Sequence, residues 1–134
     1  MKRILLIEDE PEARALLSRR LSAHHFEILE AGDGIEGKRK AKESAPDLII
    51  LDLKLPGEDG LQIYHGLRQE PALQKVPVLF LTAISTIGSM SKESLALIAS
   101  AKHGIEMKGE YTVMGKPYDA KQLLETIRRL LGEP

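Results

Sequence analysis

The chain has 134 residues, the size of one domain, and its 19 Lys and Arg nearly cancel its 20 Asp and Glu, which leaves a formal net charge of −1. A protein that neutralises many duplex phosphates normally shows a basic excess, so we expect no direct binding of nucleic acid. The absence of cysteine excludes disulfides, thiolate nucleophiles and Cys-ligated zinc or iron–sulfur sites. No apolar run approaches the roughly 18–20 residues of a membrane span, and the N-terminal run is too short for a signal peptide. We therefore expect a soluble, cytoplasmic protein in which residues 1–134 form one domain.

Apolar runs alternate with segments of helical spacing along the whole chain. The runs predict five strands, at Lys2–Asp9, Phe26–Ala31, Asp47–Leu55, Val76–Ala83 and Tyr111–Gly115. A helix is predicted after each strand: from Pro11, after Gly34 to about Ser44, from Asp59 or Gly60 until Pro71, over Ser91–His103, and from Asp119. This alternation predicts an α/β fold, with a doubly wound parallel sheet covered by helices on both faces.

The carboxyl ends of these strands carry the polar residues of interest, since ligands of such sheets bind outside those ends. Strand one ends in Glu8 and Asp9, strand three ends near Asp52, strand four ends in Thr82, and strand five leads into Lys116. Two carboxylates about 5 Å apart repel by roughly 3 kcal/mol at an effective dielectric constant of 20. A divalent cation such as Mg²⁺ would cancel this repulsion, and beside a carboxylate, a hydroxyl and a lysine it suits phosphoryl transfer.

Five sequence segments together resemble one known family. They are residues 4–10 (ILLIEDE), 30–37 (EAGDGIEG), 46–60 (PDLIILDLKLPGEDG), 76–83 (VPVLFLTA) and 116–117 (KP). In this order and spacing the chain resembles a receiver (response regulatory) domain of the two-component response regulators. The resemblance implies a five-stranded flavodoxin-like, CheY-like sheet with strand order 2-1-3-4-5. It also implies a sensor histidine kinase or a phosphotransfer protein as phosphodonor, and an output partner that the sequence does not identify.

The resemblance assigns a role to each acid at the carboxyl ends. Asp52 would be the phosphoacceptor, whose carboxylate attacks the phosphoryl group on a partner's histidine. Asp9, Asp52 and the backbone carbonyl of Lys54 would hold Mg²⁺ or Mn²⁺, and Glu8 would act directly or through water. The domain would then catalyse only its own phosphorylation and dephosphorylation, and would not be an enzyme for other substrates.

The remaining site residues are hydrogen-bond donors for the phosphoryl group. By the same resemblance Lys116 would pair with Asp52 and then with a phosphoryl oxygen. The hydroxyl of Thr82 would close on the phosphoryl group, beside the backbone N–H of Ala83. A planar, metaphosphate-like group spreads negative charge over its oxygens, which such donors stabilise.

The position three residues before the lysine departs from the family. It is usually an aromatic residue that turns inward on phosphorylation, and here it is Val113. Tyr111 lies two residues earlier and therefore on the same face of the strand, so it is the alternative candidate for this switch. Because valine is short and stiff at χ1, we expect residues 84–110 to carry the conformational change instead.

The segment between the fourth strand and the lysine is also expanded. Thr82 and Lys116 are 34 positions apart, a longer separation than the family usually has. The surplus falls in residues 84–90 and 105–110, on either side of the fourth helix. In the family the surface of the fourth helix, fifth strand and fifth helix binds output partners, including a second copy in phosphorylation-dependent dimers.

Particular residues argue against two other functions. A metal-dependent aspartyl-phosphate hydrolase would need a second acid two residues after its nucleophile, where this chain has Lys54. A flavodoxin-like carrier would need a hydroxyl- and glycine-rich phosphate loop after strand one, where the acids of residues 8–10 would repel phosphate. Whether the domain is a stand-alone receiver or a part of a larger regulator stays open.

Two further clusters have simpler interpretations. His24 and His25 lie in the polar loop before strand two, away from the acidic end of the sheet, so we interpret them as surface residues. The basic run of residues 38–40 with Lys42 lies on one helix of a neutral protein, and we expect it to form a solvated face.

Overall fold

The computed structural model describes residues 1–53, 60–83, 91–116 and 118–133. Its strands are β1 (Arg3–Ile7), β2 (Glu27–Ala31), β3 (Leu48–Asp52), β4 (Val78–Ala83) and β5 (Tyr111–Lys116). The helices of these ranges are α1 (Pro11–Ser22), α2 (Gly34–Ser44), α3 (Gly60–Arg68), α4 (Lys92–His103) and α5 (Ala120–Leu130), with a 3₁₀ turn at Pro71–Leu73. None of the described helices is long and apolar enough to cross a membrane.

The sheet confirms the predicted topology. Its five strands are parallel and lie in the order β2-β1-β3-β4-β5. The strands begin or end within two residues of the predicted bounds wherever both ends are described. The first strand ends at Ile7, before the two acids, and the fourth begins at Val78, after Pro77, which has no N–H to donate to a ladder. The fifth strand runs one residue further than predicted, so Lys116 is its last residue.

Two apolar layers cover the sheet. On one face Leu5, Ile49 and Phe80 pack beneath α2, α3 and α4, and on the other face Ile4 and Ile50 pack beneath α1 and α5. All five side chains are fully buried. Their alternation along each strand assigns each strand residue to one of the two helical layers.

Helix α3 starts in direct contact with the end of β3. A Cβ atom at Gly60 would lie 2.8 Å from the Cα of Leu53 and 3.0 Å from the carbonyl oxygen of Asp52. Only glycine permits this approach, because a side chain would collide with backbone. At the far end of α4, Gly104 has a φ of +63° and caps the helix in the left-handed conformation.

The amino edge of the sheet is held by a buried arginine at the end of α3. Arg68 is 6% exposed, and its guanidinium donates to four backbone carbonyls. The acceptors are Lys108 at 3.1 Å, Leu73 at 2.7 Å, Val76 at 2.6 Å and Glu110 at 2.9 Å. The side chain therefore ties α3 to the segments that lead into β4 and β5.

Two neighbours complete this contact. The guanidinium carbon of Arg68 lies 4.7 Å from the ring centroid of Tyr64, whose hydroxyl donates to the carbonyl of Lys108. Gly109 has a φ of +84°, and a Cβ there would lie 2.6 Å from Nε of Arg68. Residues 105–110, one of the two expanded parts, are therefore anchored to α3.

Candidate functional site

Asp52 is the last residue of β3 and is 5% exposed. Its Oδ2 accepts a hydrogen bond of 2.8 Å from Nζ of Lys116. Since β4 lies between β3 and β5, the lysine side chain reaches past the end of β4 to make this contact. Burial alone would lower the pKa of Lys116, but the hydrogen bond and charge of Asp52 outweigh it and raise this pKa above its ordinary value. The lysine is therefore held in its charged form.

Three carboxylates meet beside this pair. Glu8, Asp9 and Asp52 each offer an oxygen atom within 4.8 Å of the others. Glu8 is 7% exposed, whereas Asp9 is more open to solvent. Burial, together with a hydrogen bond to Asp52 and the charge of Asp52, raises the pKa of Glu8 from 4.5 to about 8. The second buried carboxyl is thus costly to ionise, since among the described residues only the charge of Lys116 lowers its pKa.

The chemistry of this donor set fits a hard divalent cation. With all three acids ionised and one lysine, the cluster carries a charge of −2, which one Mg²⁺ or Mn²⁺ would neutralise. Such ions take oxygen ligands from one or two carboxylates and complete their shell with water, and the exposed position of Asp9 leaves room for solvent. The further ligand predicted from the sequence, the carbonyl of Lys54, lies outside the described residues.

The predicted phosphate donors lie at the same edge of the sheet. Thr82 is 2% exposed and follows Leu81, which is opposite Asp52 in the β3–β4 register. Ala83 is opposite Lys116 in the β4–β5 register. All the predicted metal ligands and phosphate donors that the structure describes are therefore brought to the carboxyl ends of β1, β3, β4 and β5.

Tyr111, the alternative candidate for the switch, lies far along β5 from the position opposite Thr82. It is opposite Val78, whereas Thr82 is opposite Gly115, four positions further along β5. Four residues of strand correspond to about 13 Å. The tyrosine hydroxyl instead donates to the carbonyl of Lys92 at 3.4 Å, at the start of α4.

Val113 is nearer the site and remains small. It is opposite Phe80, two positions before the partner of Thr82, and it packs on the same apolar layer. No aromatic side chain of β5 therefore stands next to Thr82 in the described structure.

The two other sequence clusters lie away from the acidic edge. His24 and His25 are exposed in the turn after α1. The four basic residues of α2 each lie 2.9–3.8 Å from a carboxylate, in the pairs Lys38–Glu70, Arg39–Glu43, Lys40–Glu36 and Lys42–Glu70. Their charge is thus largely neutralised within the protein.

Sequence reasoning missed two residues that contact the site. Tyr118 borders a cavity of about 30 Å³ beside Asp52 and Lys116, and burial raises the pKa of its hydroxyl. Arg14 donates from Nη1 to the backbone carbonyl of Glu8 at 2.8 Å. Neither residue could be found from the pattern of side chains, because Tyr118 lies beyond the strand that carries Lys116 and Arg14 binds a backbone carbonyl.

The sequence of the chain matches one known protein family. The model of the response regulator receiver domain matches residues 4–128. The chain belongs to this family. Receiver domains are phosphorylated by histidine kinases of two-component systems and generally bind Mg²⁺ at an acidic pocket, and this chain has an acidic cluster of Glu8, Asp9 and Asp52.

Curated relatives are similar over the whole receiver domain. RpaA of Synechocystis sp., a DNA-binding dual master transcriptional regulator, is 34% identical over 98% of the chain, and DivK of Brucella anthropi, a polar-differentiation response regulator, is 26% identical over 98%. The chain spans about half the length of the transcriptional regulators it matches (49% of RpaA) but 98% of DivK.

Solved structures share the fold. The chemotaxis protein CheY4 of Vibrio cholerae superposes with a TM-score of 0.77 at 25% identity, covering 97% of this chain and 98% of that one. This similarity agrees with the strand order and with the helices on both faces.

Proposed function

We propose that this receiver domain is the phosphoacceptor switch of a two-component phosphorelay, with Asp52 as the residue that accepts the phosphoryl group. The observation that carries the proposal is the buried Asp52 carboxylate, held 2.8 Å from the Lys116 ammonium within a cluster of acids. The family match over residues 4–128 favours this function over a hydrolase or a flavin carrier.

The reaction is a transfer between two nucleophiles. A carboxylate oxygen of Asp52 attacks the phosphorus of a phosphohistidine on a kinase or phosphotransfer protein. A P–O bond forms and the P–N bond breaks, and its electron pair stays on the imidazole nitrogen. Lys116 orients the attacking carboxylate and then pairs with a phosphoryl oxygen.

The acidic cluster and Thr82 complete the site. Glu8, Asp9 and Asp52 would hold Mg²⁺ or Mn²⁺, which when bound supplies positive charge for the phosphoryl oxygens. The hydroxyl of Thr82 and the N–H of Ala83 would donate hydrogen bonds to the transferred group. Water later attacks the phosphorus of the acyl phosphate, which regenerates the Asp52 carboxylate and releases inorganic phosphate. In this role the domain acts only on its own phosphoryl group, and the surface of α4, β5 and α5 binds an output partner differently in the two states.

The test uses a small phosphodonor in place of the kinase. Incubation with acetyl phosphate and Mg²⁺ should add one phosphoryl group, detected by intact-mass spectrometry, and Asp52→Asn should abolish the addition. Asp47→Asn is the matched control, because Asp47 precedes the same strand at its opposite end and caps the N–H of Arg3 at 2.8 Å. Equal labelling of the wild type and Asp52→Asn would refute the proposal.

A further inference from the structure

The peptide between Glu8 and Asp9, just after β1, accepts a hydrogen bond from a side chain of helix α1. The N–H of Glu8 still donates to the carbonyl of Ala31 in β2, at 3.0 Å. The carbonyl of Glu8 accepts from Nη1 of Arg14 instead, at 2.8 Å. Arg14 lies in α1, and its Nε is 3.3 Å from a carboxylate oxygen of Glu30 in β2. The guanidinium therefore connects the end of β1 with its neighbouring strand.

This contact acts on both acids at once. The carbonyl that Arg14 binds belongs to the peptide plane between Glu8 and Asp9, and the orientation of that plane sets the direction in which each side chain leaves the backbone. Past the end of a strand, a carbonyl has no ladder partner and must be satisfied by another donor. A guanidinium fixed at two of its nitrogens is a rigid donor for this purpose.

A glycine keeps room for the guanidinium. A Cβ atom at Gly32 would lie 3.2 Å from Nη1 of Arg14, so any larger residue there would press on it. The loop that contains Gly32 is fixed in turn, because its N–H donates to the carboxylate of Glu36 at 3.3 Å. The β2–α2 loop thus forms one wall of the space that Arg14 occupies.

We propose that Arg14 is a positioning residue for the acidic cluster: it fixes the Glu8–Asp9 peptide so that both carboxylates face Asp52, and it thereby strengthens binding of a divalent cation. The inference rests on the proposed function in taking this cluster as the cation site. Arg14 itself neither binds the cation nor touches the phosphoryl group.

The sign of the effect separates positioning from simple electrostatics. A positive guanidinium near the cluster repels a cation, so if Arg14 acted through its charge alone, its removal would tighten Mg²⁺ binding. If it acts through geometry, its removal weakens Mg²⁺ binding although the local charge becomes more favourable. Loss of an outer partner of a metal ligand typically weakens metal binding about 10- to 100-fold.

The experiment measures Mg²⁺ dissociation constants by isothermal titration calorimetry. Arg14→Ala should bind Mg²⁺ at least about tenfold more weakly than the wild type, and Arg14→Lys, which keeps the charge and one donor, should fall between them. Arg19→Ala, an exposed arginine of the same helix, is the matched control and should be unchanged. Gly32→Ala keeps the arginine but displaces it, and should weaken binding in the same direction if Arg14→Ala does not fold.

A second measurement needs no cation. In the metal-free protein the amide of Asp9, which belongs to the held peptide, should exchange its hydrogen faster in Arg14→Ala than in the wild type, as followed by NMR. If Arg14→Ala and Gly32→Ala bind Mg²⁺ as tightly as the wild type or more tightly, the inference about Arg14 is wrong. The proposed function would still stand in that case, provided that Asp52 of the wild type is labelled by acetyl phosphate. Absence of labelling at Asp52 in the wild type would instead overturn the proposed function.

Discussion

Each of the two edges of the sheet holds a cationic side chain, but the two side chains have different partners. At the amino edge every nitrogen of the Arg68 guanidinium donates to a backbone carbonyl, across distances of 2.6–3.1 Å. At the carboxyl edge Lys116 contacts Asp52 at 2.8 Å, while two more acids lie within 4.8 Å of that carboxylate. One edge has its donors matched by acceptors, and the other retains an excess of negative charge.

This difference distinguishes a structural charge from a functional one. The carbonyl dipoles around Arg68 compensate its burial without a ligand, so the contact stabilises the fold as it stands. At the acidic edge, burial and the neighbouring Asp52 raise the pKa of Glu8, so ionising all three acids is costly unless a cation offsets their charge. Binding and chemistry are therefore expected at the carboxyl edge, and stability is expected to depend on the amino edge.

The largest effect is expected from breaking the amino edge. Arg68→Ala removes four hydrogen bonds from a buried site and leaves a cavity there, although the carbonyls of Lys108, Leu73 and Glu110 each keep another donor. We therefore expect the free energy of unfolding to fall by about 3 kcal/mol. Urea denaturation measures this change, with Arg19→Ala as the surface control and Arg68→Lys expected between the two. The folded fraction should still be phosphorylated at Asp52. A loss below about 1 kcal/mol would show that the carbonyl contacts add little to stability.

At the carboxyl edge, the expected effect is a dependence of the stability of the metal-free protein on pH. Burial and Asp52 raise the pKa of Glu8 to about 8 in the folded protein, while the carboxyl of the unfolded chain titrates near 4.5. Between these values the folded state holds a proton that the unfolded state has released, so the stability of the metal-free protein should fall as pH rises from 4.5 towards 8.

The matched variant for this prediction is Glu8→Gln, which removes the titrating group and keeps its shape. Urea denaturation of both proteins in EDTA, at the two ends of this pH range, isolates the contribution of Glu8. The wild type should lose more stability than Glu8→Gln as pH rises, and saturating Mg²⁺ should reduce the loss. Equal pH dependence in the two proteins would contradict the raised pKa.

A smaller effect is expected from relieving the charge excess. Asp9→Asn removes one negative charge from the cluster, so the metal-free protein should become more stable by up to about 1 kcal/mol. The same variant should lose most of the increase in melting temperature that Mg²⁺ gives the wild type by mass action. Thermal denaturation with and without Mg²⁺ tests both parts, and Asp33→Asn, an acid outside the cluster, is the control. An unchanged Mg²⁺ shift in Asp9→Asn would place the cation elsewhere.

The acidic edge could be predicted from the sequence, because the carboxyl ends of the strands of a parallel sheet lie at the same edge. Once Glu8, Asp9 and Asp52 end predicted parallel strands, the sheet must bring them to one side. The contacts of Arg14 and Arg68 could not be predicted in this way, since both residues bind backbone carbonyls, and a carbonyl leaves no signal in the pattern of side chains.

Strand register was the other quantity that the sequence did not contain. Alternation correctly assigns Tyr111 and Val113 to one face of β5, but it does not say which residue of β4 stands opposite each. The register places Tyr111 opposite Val78, at the far end of the strand from Thr82.

The smallest effect is expected from substituting Tyr111. This substitution tests how phosphorylation at the carboxyl edge changes the structure of more distant parts of the molecule. Beryllofluoride, a phosphate mimic, should change amide exchange in α4, which packs on Phe80, and strand alternation places Thr82 on the same face of β4 as Phe80. Within the segment 84–110 that is predicted to carry the change, residues 84–90 lie outside the described residues, and residues 105–110 should respond less than α4 because Arg68 anchors them to α3. Tyr111→Ala should loosen the first turn of α4 in both states, since the hydroxyl binds the carbonyl of Lys92 and the Lys92 ammonium lies 4.6 Å from the ring centroid.

The difference between the two states should nevertheless survive in Tyr111→Ala, because the tyrosine lies about 13 Å along the strand from the hydroxyl that moves. Tyr111→Phe removes only the hydrogen bond to Lys92 and serves as the control for loosening, and Asp52→Asn should show no response to the mimic at all. If the exchange difference in α4 disappears in Tyr111→Ala but persists in Tyr111→Phe, the aromatic ring carries the signal across that distance. The two edges of the sheet would then be coupled through the core rather than divided into a functional and a structural end.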